Sequence, residues 1–143
     1  MTDIFLTFRD LCAGADGIKE ADRDNGQLNQ ANPAVNFPCA LIKLTFNGST
    51  LTTKTQQCKG SLQVTVAHNL MKMETTSLAP DEAAQRSLAF VTYANNVYKK
   101  LQGYADAMIN YTDRISYTDM NVNGLATVVM TFNFGFLDQS AED

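Results

Sequence analysis

His68 is the single histidine of the chain. It closes an alternating run and stands in phase with Leu62, Val64 and Val66, which points its ring toward the core side. A general base needs an oriented nucleophile within hydrogen-bond reach. No GxSxG, HExxH, GxGxxG or GxxxxGK[ST] pattern supplies such a setting. The three cysteines, Cys12, Cys39 and Cys58, are odd in number and lack CxxC spacing, which speaks against a disulfide framework and a zinc site. Cys12 and Cys39 lie in apolar patterns and read as core thiols. Cys58 sits beside Lys59 in a polar stretch, and no neighbour in sequence activates it. Asp22 and Asp24 flank an arginine in a turn-like segment, without the ladder, central glycine and closing glutamate of a calcium loop. Asp81 and Glu82 are explained by a helix start, where carboxylates meet the positive dipole end. Phe132, Phe134 and Phe136 alternate but lack interleaved Arg or Lys, so they read as core rather than as a base-stacking platform. No catalytic residue, metal ligand or cofactor site is expected.

The 143 residues are enough for one domain with a real core. Charged residues are 18% and hydrophobic residues 45%, leaving a neutral surface rich in Thr, Asn and Gln. Such a surface suits subunit contacts, because few charges need desolvating there. The net charge of −4 and the scattered lysines argue against groove binding of nucleic acid, which demands a basic stripe. The densest basic pair, Lys99-Lys100, suits a helix C-terminus. Reduced thiols fit synthesis in the cytoplasm. No signal peptide and no membrane-spanning stretch is read from the pattern.

The elements that must position any site follow from hydrophobic rhythm. Ile4 to Ala15 has helical spacing, with Asp3 as N-cap. Residues 16–36 are polar and turn-forming and read as a flexible connection. Alternation returns at Cys39–Phe46 and at Ser61–His68. Residues 49–60 either extend that hairpin or form a long loop. Pro80 to Gln102 reads as a helix, with Ala84, Leu88, Val91, Ala94, Tyr98 and Leu101 in its apolar stripe and Phe90, Tyr93 and Val97 widening it. A helix with two apolar sides packs on the sheet with one and meets the first helix or another subunit with the other. Two more strands follow, around Ile109–Asp119 and Leu125–Leu137, joined by a turn at Asn121–Gly124. The expected fold is therefore α+β, a single domain over 1–143 in the order α-β-β-α-β-β. Its sheet is expected to be four-stranded, mostly antiparallel and packed against helices. Residues 138–143 read as a disordered acidic tail.

In this order the chain resembles the tail terminator (tail completion) proteins of long-tailed bacteriophages and prophages. The resemblance rests on a proline-marked strand, Phe37-Pro-Cys-Ala-Leu-Ile-Lys-Leu44, and on Gln56-Gln-Cys-Lys-Gly60 leading into a strand that ends at His68. It continues in Val97-Tyr-Lys-Lys-Leu-Gln-Gly103, in an Arg-bearing strand around Arg114, and in Val128 to Asp138. It implies a minor tail protein that forms a ring, usually a hexamer, at the head-proximal end of the tail tube. There it ends polymerisation of the tube and presents a surface to the head–tail connector protein. Its partners are then itself, the tail tube protein and the connector. It is assembled in the host bacterial cytoplasm and ends in the virion tail.

Loops tolerate the sequence change that partner matching requires. The contacts are therefore expected in Gly48–Gly60, Asp16–Asn36 and Lys72–Leu78. The side chains singled out are Thr50, Thr52, Lys54, Gln56, Gln57, Lys59, Lys72 and Glu74, with Arg114 from the strand. Two other readings stay open. One is a head–tail connector of similar architecture. The other is a small α+β ligand-binding or enzymatic domain with a pocket between helix and sheet.

Overall fold

The computed structural model describes residues 2–30, 35–50, 56–69, 80–106, 109–122 and 125–138; side chains are described except at 2–3, 47–50, 56–58, 80–87, 122 and 137–138. Helix α1 spans Thr2–Ala13 and strand β1 Glu20–Arg23, followed by a 3₁₀ turn at Gln27–Asn29. Strands β2 (Cys39–Thr50) and β3 (Gln56–His68) precede helix α2 (Pro80–Leu101). Strands β4 (Ile109–Val122) and β5 (Leu125–Asp138) close the chain.

The sheet has five strands in the order β1-β2-β3-β5-β4. Four of them pair antiparallel, but β1 runs parallel to β2, with Glu20 opposite Cys39 and Arg23 opposite Ile42. The expected four-stranded sheet in α-β-β-α-β-β order is thus corrected to a five-stranded mixed sheet. The extra strand, Glu-Ala-Asp-Arg, has no alternating apolar residues to announce it. Backbone pairing holds it instead. Lys19 N donates to Pro38 O at 2.8 Å and Asp24 N to Ile42 O at 2.8 Å, one at each end of the four-residue ladder. The β2–β3 hairpin extends as far as Thr50 opposite Gln56, so the sheet continues through much of 47–59.

The helices cover one face. From α1 come Ile4, Phe8 and Cys12; from α2 come Phe90, Ala94, Val97 and Leu101. They meet Ile42, Leu62, Val64, Val66, Met130, Phe132, Phe134 and Phe136, the inward column of β2, β3 and β5. Of the expected stripe of α2, Ala94 and Leu101 are buried and Tyr98 packs on the core, but its first described residues face outward. Leu88 is 65% exposed and Val91 also faces solvent, because Phe90 and Val97 set the helix rotation. On the opposite face a small second cluster, Leu28, Cys39, Leu41, Ala67 and Leu125, sits at the end of the sheet where β2 begins, with Val35 and Phe37 packed on it. Strand β4 carries irregularities between Ile109 and Tyr111 and between Arg114 and Ser116. Each bulge shifts the phase of the side chains. Ile109 is therefore buried, while Tyr111, Ile115 and Tyr117 are exposed.

Gly60 lies opposite Phe134, and the phenyl ring crosses the space a side chain would need. A Cβ there would lie 2.3 Å from Phe134 Cζ. The ring cannot yield, because it is fully buried and packs edge-on to Phe8 and Phe46 and stacks on Phe136. Gly60→Ala is expected to destabilise the fold by about 1–3 kcal/mol through overpacking. Urea unfolding measures it, and Gly60→Ala combined with Phe134→Leu should be less than additive.

Candidate assembly surface

Leu88 and Val91 on α2 and Tyr111, Ile115, Tyr117 and Met120 on β4 are exposed large apolar side chains. With Leu6 on α1 they complete that class among the described residues. A shallow cleft of about 440 Å³ separates α2 from β4. It is lined by Val91, Thr92, Asn95, Arg114 and Tyr117.

Arg114 is the cation of this cleft. Phe132 opposes it across the β4–β5 ladder, so its side chain leaves the sheet on the helix side. Its guanidinium carbon lies 4.0 Å from the Tyr98 ring centroid and 5.4 Å from that of Tyr117. Tyr98 in turn stacks on Phe132, with centroids 6.5 Å apart. The aromatic faces attract the cation and hold its plane. Nη1 points at Met130 Sδ, 4.0 Å away. Arg9–Asp10 is the ion pair found among the described residues, and Arg114 has no carboxylate within 4.0 Å among them. A half-buried guanidinium held between two rings can accept a carboxylate or phosphate group. Among the described residues that line the cleft, none pairs a nucleophile with a base.

The end of α2 covers part of the β4 edge. Gly103 N donates to Thr112 O at 2.8 Å. Gln102 Oε1 accepts from Arg114 N at 2.8 Å, while its Nε2 donates to Asp113 Oδ1 at 2.7 Å. This side-chain clamp satisfies edge groups that a sixth strand would otherwise take.

The expected contact residues do not form one site. Thr50, Gln56 and Gln57 lie at the far end of the β2–β3 hairpin, where Thr50 pairs with Gln56 and Gln57 with Ser49. Lys59 is exposed and stands opposite Gly135, on the face away from the helices. Arg114 is on β4, facing the helices. Thr52, Lys54, Lys72 and Glu74 lie outside the described residues. Sequence reading missed Val91, Thr92, Asn95, Tyr98, Tyr117 and Gln102. Tyr98 and Val91 had been assigned to the α2 stripe, and the bulge after Arg114 hid the facing of Tyr117.

The other groups with chemical potential are occupied structurally. Asp22 Oδ1 accepts from Arg23 N, and Asp24 Oδ1 accepts from Gly26 N, so both carboxylates organise their own turn. Among the described residues no three His, Cys, Asp or Glu side chains cluster as metal ligands. No helix among them is long and apolar enough to cross a membrane. His68 lies with its ring edge toward Tyr93, 6.1 Å between centroids, and its Nδ1 is buried without a hydrogen-bond partner among the described residues. Burial, and secondarily the Lys19 charge, lowers its pKa. Burial pushes Cys12 up to about 12. Cys39 also reaches about 12, chiefly through burial, with Glu20 and Asp24 adding to the rise against two opposing backbone hydrogen bonds. No protein-family model matches the chain, and no curated protein matches it.

Two outcomes follow. The depressed folded-state pKa of His68 means that the unfolded chain binds its proton first. Its contribution to stability is present above the unfolded value near 6.5 and is lost as pH falls toward the folded value. The difference in unfolding free energy between wild type and His68→Gln should change across that window and level off above it. Cys12 and Cys39 should resist a maleimide at pH 8 in the native protein and react at once in denaturant, because the thiolate is the reactive form. Mass spectrometry of the labelled peptides reads this directly.

Proposed function

We propose that the chain is a structural subunit of a phage or prophage tail, which caps the tail tube as a ring and presents the surface that joins the head. The observation that carries this reading is the set of exposed large apolar side chains on α2 and β4, among them Leu88 at 65% and Ile115 at 57% exposure, at a sheet edge open in part among the described residues. Exposed apolar side chains beside an open sheet edge favour a protein partner. Heterologous contacts that close by rotation give rings. The order of elements from Phe37 to Asp138, through which the chain resembles tail terminators, adds the location in the tail. The low charge of the subunit fits packing against like subunits. A ring at the head-proximal end has the tube protein on one side and the connector on the other. Arg114, held without a carboxylate partner among the described residues, suits an acidic side chain brought by such a neighbour.

A second reading has its own observation. The 440 Å³ cleft with Arg114, Thr92 and Asn95 at its wall would also receive a small acidic ligand, as in a binding domain.

Light scattering over a range of concentrations, with negative-stain imaging of the same peak, separates the two. The ring reading expects closed particles of several copies; six chains of 15.7 kDa make about 94 kDa. A mass fixed at 15.7 kDa at every concentration overturns it.

A further inference from the structure

The two edges of the sheet are each covered over part of their length, and the covered parts are complementary. At the β2 edge, β1 pairs with Cys39–Ile42 only, and its last backbone bond reaches Ile42 O. Lys43–Thr50 continues, among the described residues, with a strand on the β3 side alone. At the β4 edge, α2 covers Thr112 to Arg114 through Gly103 and Gln102. Beyond the bulge, Ser116–Met120 pairs with β5 and, among the described residues, with no other strand. The open half of β2 lies level with β5 residues Thr131–Asp138, through β3. The open half of β4 lies level with Thr127–Thr131. One edge is thus open at the far end of the sheet and the other at the near end.

Resting on the ring reading above, we infer that the ring closes by strand addition, the open half of β4 on one copy pairing antiparallel with the open half of β2 on the next. The polarity is correct, because β2 and β4 run in opposite directions across the sheet. The joint is a lap: β4 of one copy fills the column directly beyond β1 of its neighbour. The faces agree as well. Leu44 and Phe46, half-buried on the helix face, come beside Tyr117 on the same face. Lys43 and Thr45 come beside Ser116, Thr118 and Met120 on the other. The exposed Leu88 and Val91 of α2 flank this joint, and α1, which packs over β1 and β2, brings the exposed Leu6 from the other copy. The contact therefore joins main-chain hydrogen bonds to apolar burial, as strand addition does elsewhere. The geometry also closes. With Thr118 opposite Thr45 the stagger between copies is four residues, roughly 14 Å along the strand, across four strand spacings of about 4.8 Å. That sets a strand tilt of roughly 35°, at the lower end of the range of closed barrels.

The test places cysteines on the two open halves in a Cys58→Ser background. Thr45 and Thr118 are exposed on the same face. Within one chain β2 and β4 are three strand spacings apart, about 14 Å, beyond the reach of a disulfide. Under mild oxidation or with a short bismaleimide, the chain carrying both Thr45→Cys and Thr118→Cys is expected to give a ladder of covalent oligomers that ends at the ring. Each single variant is expected to give none, and a mixture of the two singles only dimers. A closed ring by light scattering with no ladder overturns the strand joint and leaves the ring standing. Dimers from Thr118→Cys alone mean two-fold pairing of β4 with itself and also overturn the joint. A monomer at every concentration with no ladder overturns both.

Discussion

Everything in this molecule depends on the antiparallel pairing of β3 with β5. The two strands stay in register from Gln56 opposite Asp138 to His68 opposite Ala126. On one face that register lines up Gly60 with Phe134, Leu62 with Phe132, Val64 with Met130 and Val66 with Val128. These positions are buried, and both helices take their places from them. A slip of one residue would turn the whole apolar column to solvent. The missing side chain at Gly60 makes the register exact in another sense, since only there can the Phe134 ring cross to the neighbouring strand. β2 and β4 are then added outward, and their outer halves are what the core leaves unfinished.

The legible parts of the sequence are those whose rhythm answers to that core. Val128, Met130, Phe132, Phe134 and Phe136 alternate because one face of β5 is buried, and they were read on the correct face. The existence of both helices was equally plain from spacing. β1 is not, because three charged residues and one alanine, stabilised by parallel backbone pairing, leave no apolar signature. The rotation of α2 was misjudged for a different reason. Leu88, Val91, Ala94 and Leu101 form as good a helical stripe as Phe90, Ala94, Val97 and Leu101, and only the sheet decides between them. The cleft was hidden by the same ambiguity together with a bulge, since after Arg114 the alternation of β4 restarts in a new phase. The aromatic clamp around Arg114 has no local signature, because it joins Tyr98 and Tyr117 from two elements distant in sequence.

The surviving polar groups tell a consistent story. His68 is held neutral by burial, the two described thiols are raised far above neutrality, and the loop carboxylates bond to their own backbone. Chemistry requires the opposite arrangement, with groups poised near the working pH and aimed into a shared space. The exposed features are of another kind. Among the described residues they are apolar side chains, a stacked guanidinium and strand edge without a neighbouring strand.

The treatment of the β4 edge is the most telling of these. Natural sheets protect their edges, since an open row of backbone groups recruits other chains. This chain does so over half of β4, using the main chain of Gly103 and both ends of the Gln102 amide. Over the other half it sets Ile115, Tyr117 and Met120, all exposed. At the opposite edge, β1 covers four residues of β2 and departs at the Asp24 turn, where Gly26 adopts φ 79°. Among the described residues each edge is capped over part of its length, at opposite ends of the sheet, and gaps placed in that way suit a subunit that adds to copies of itself in one direction.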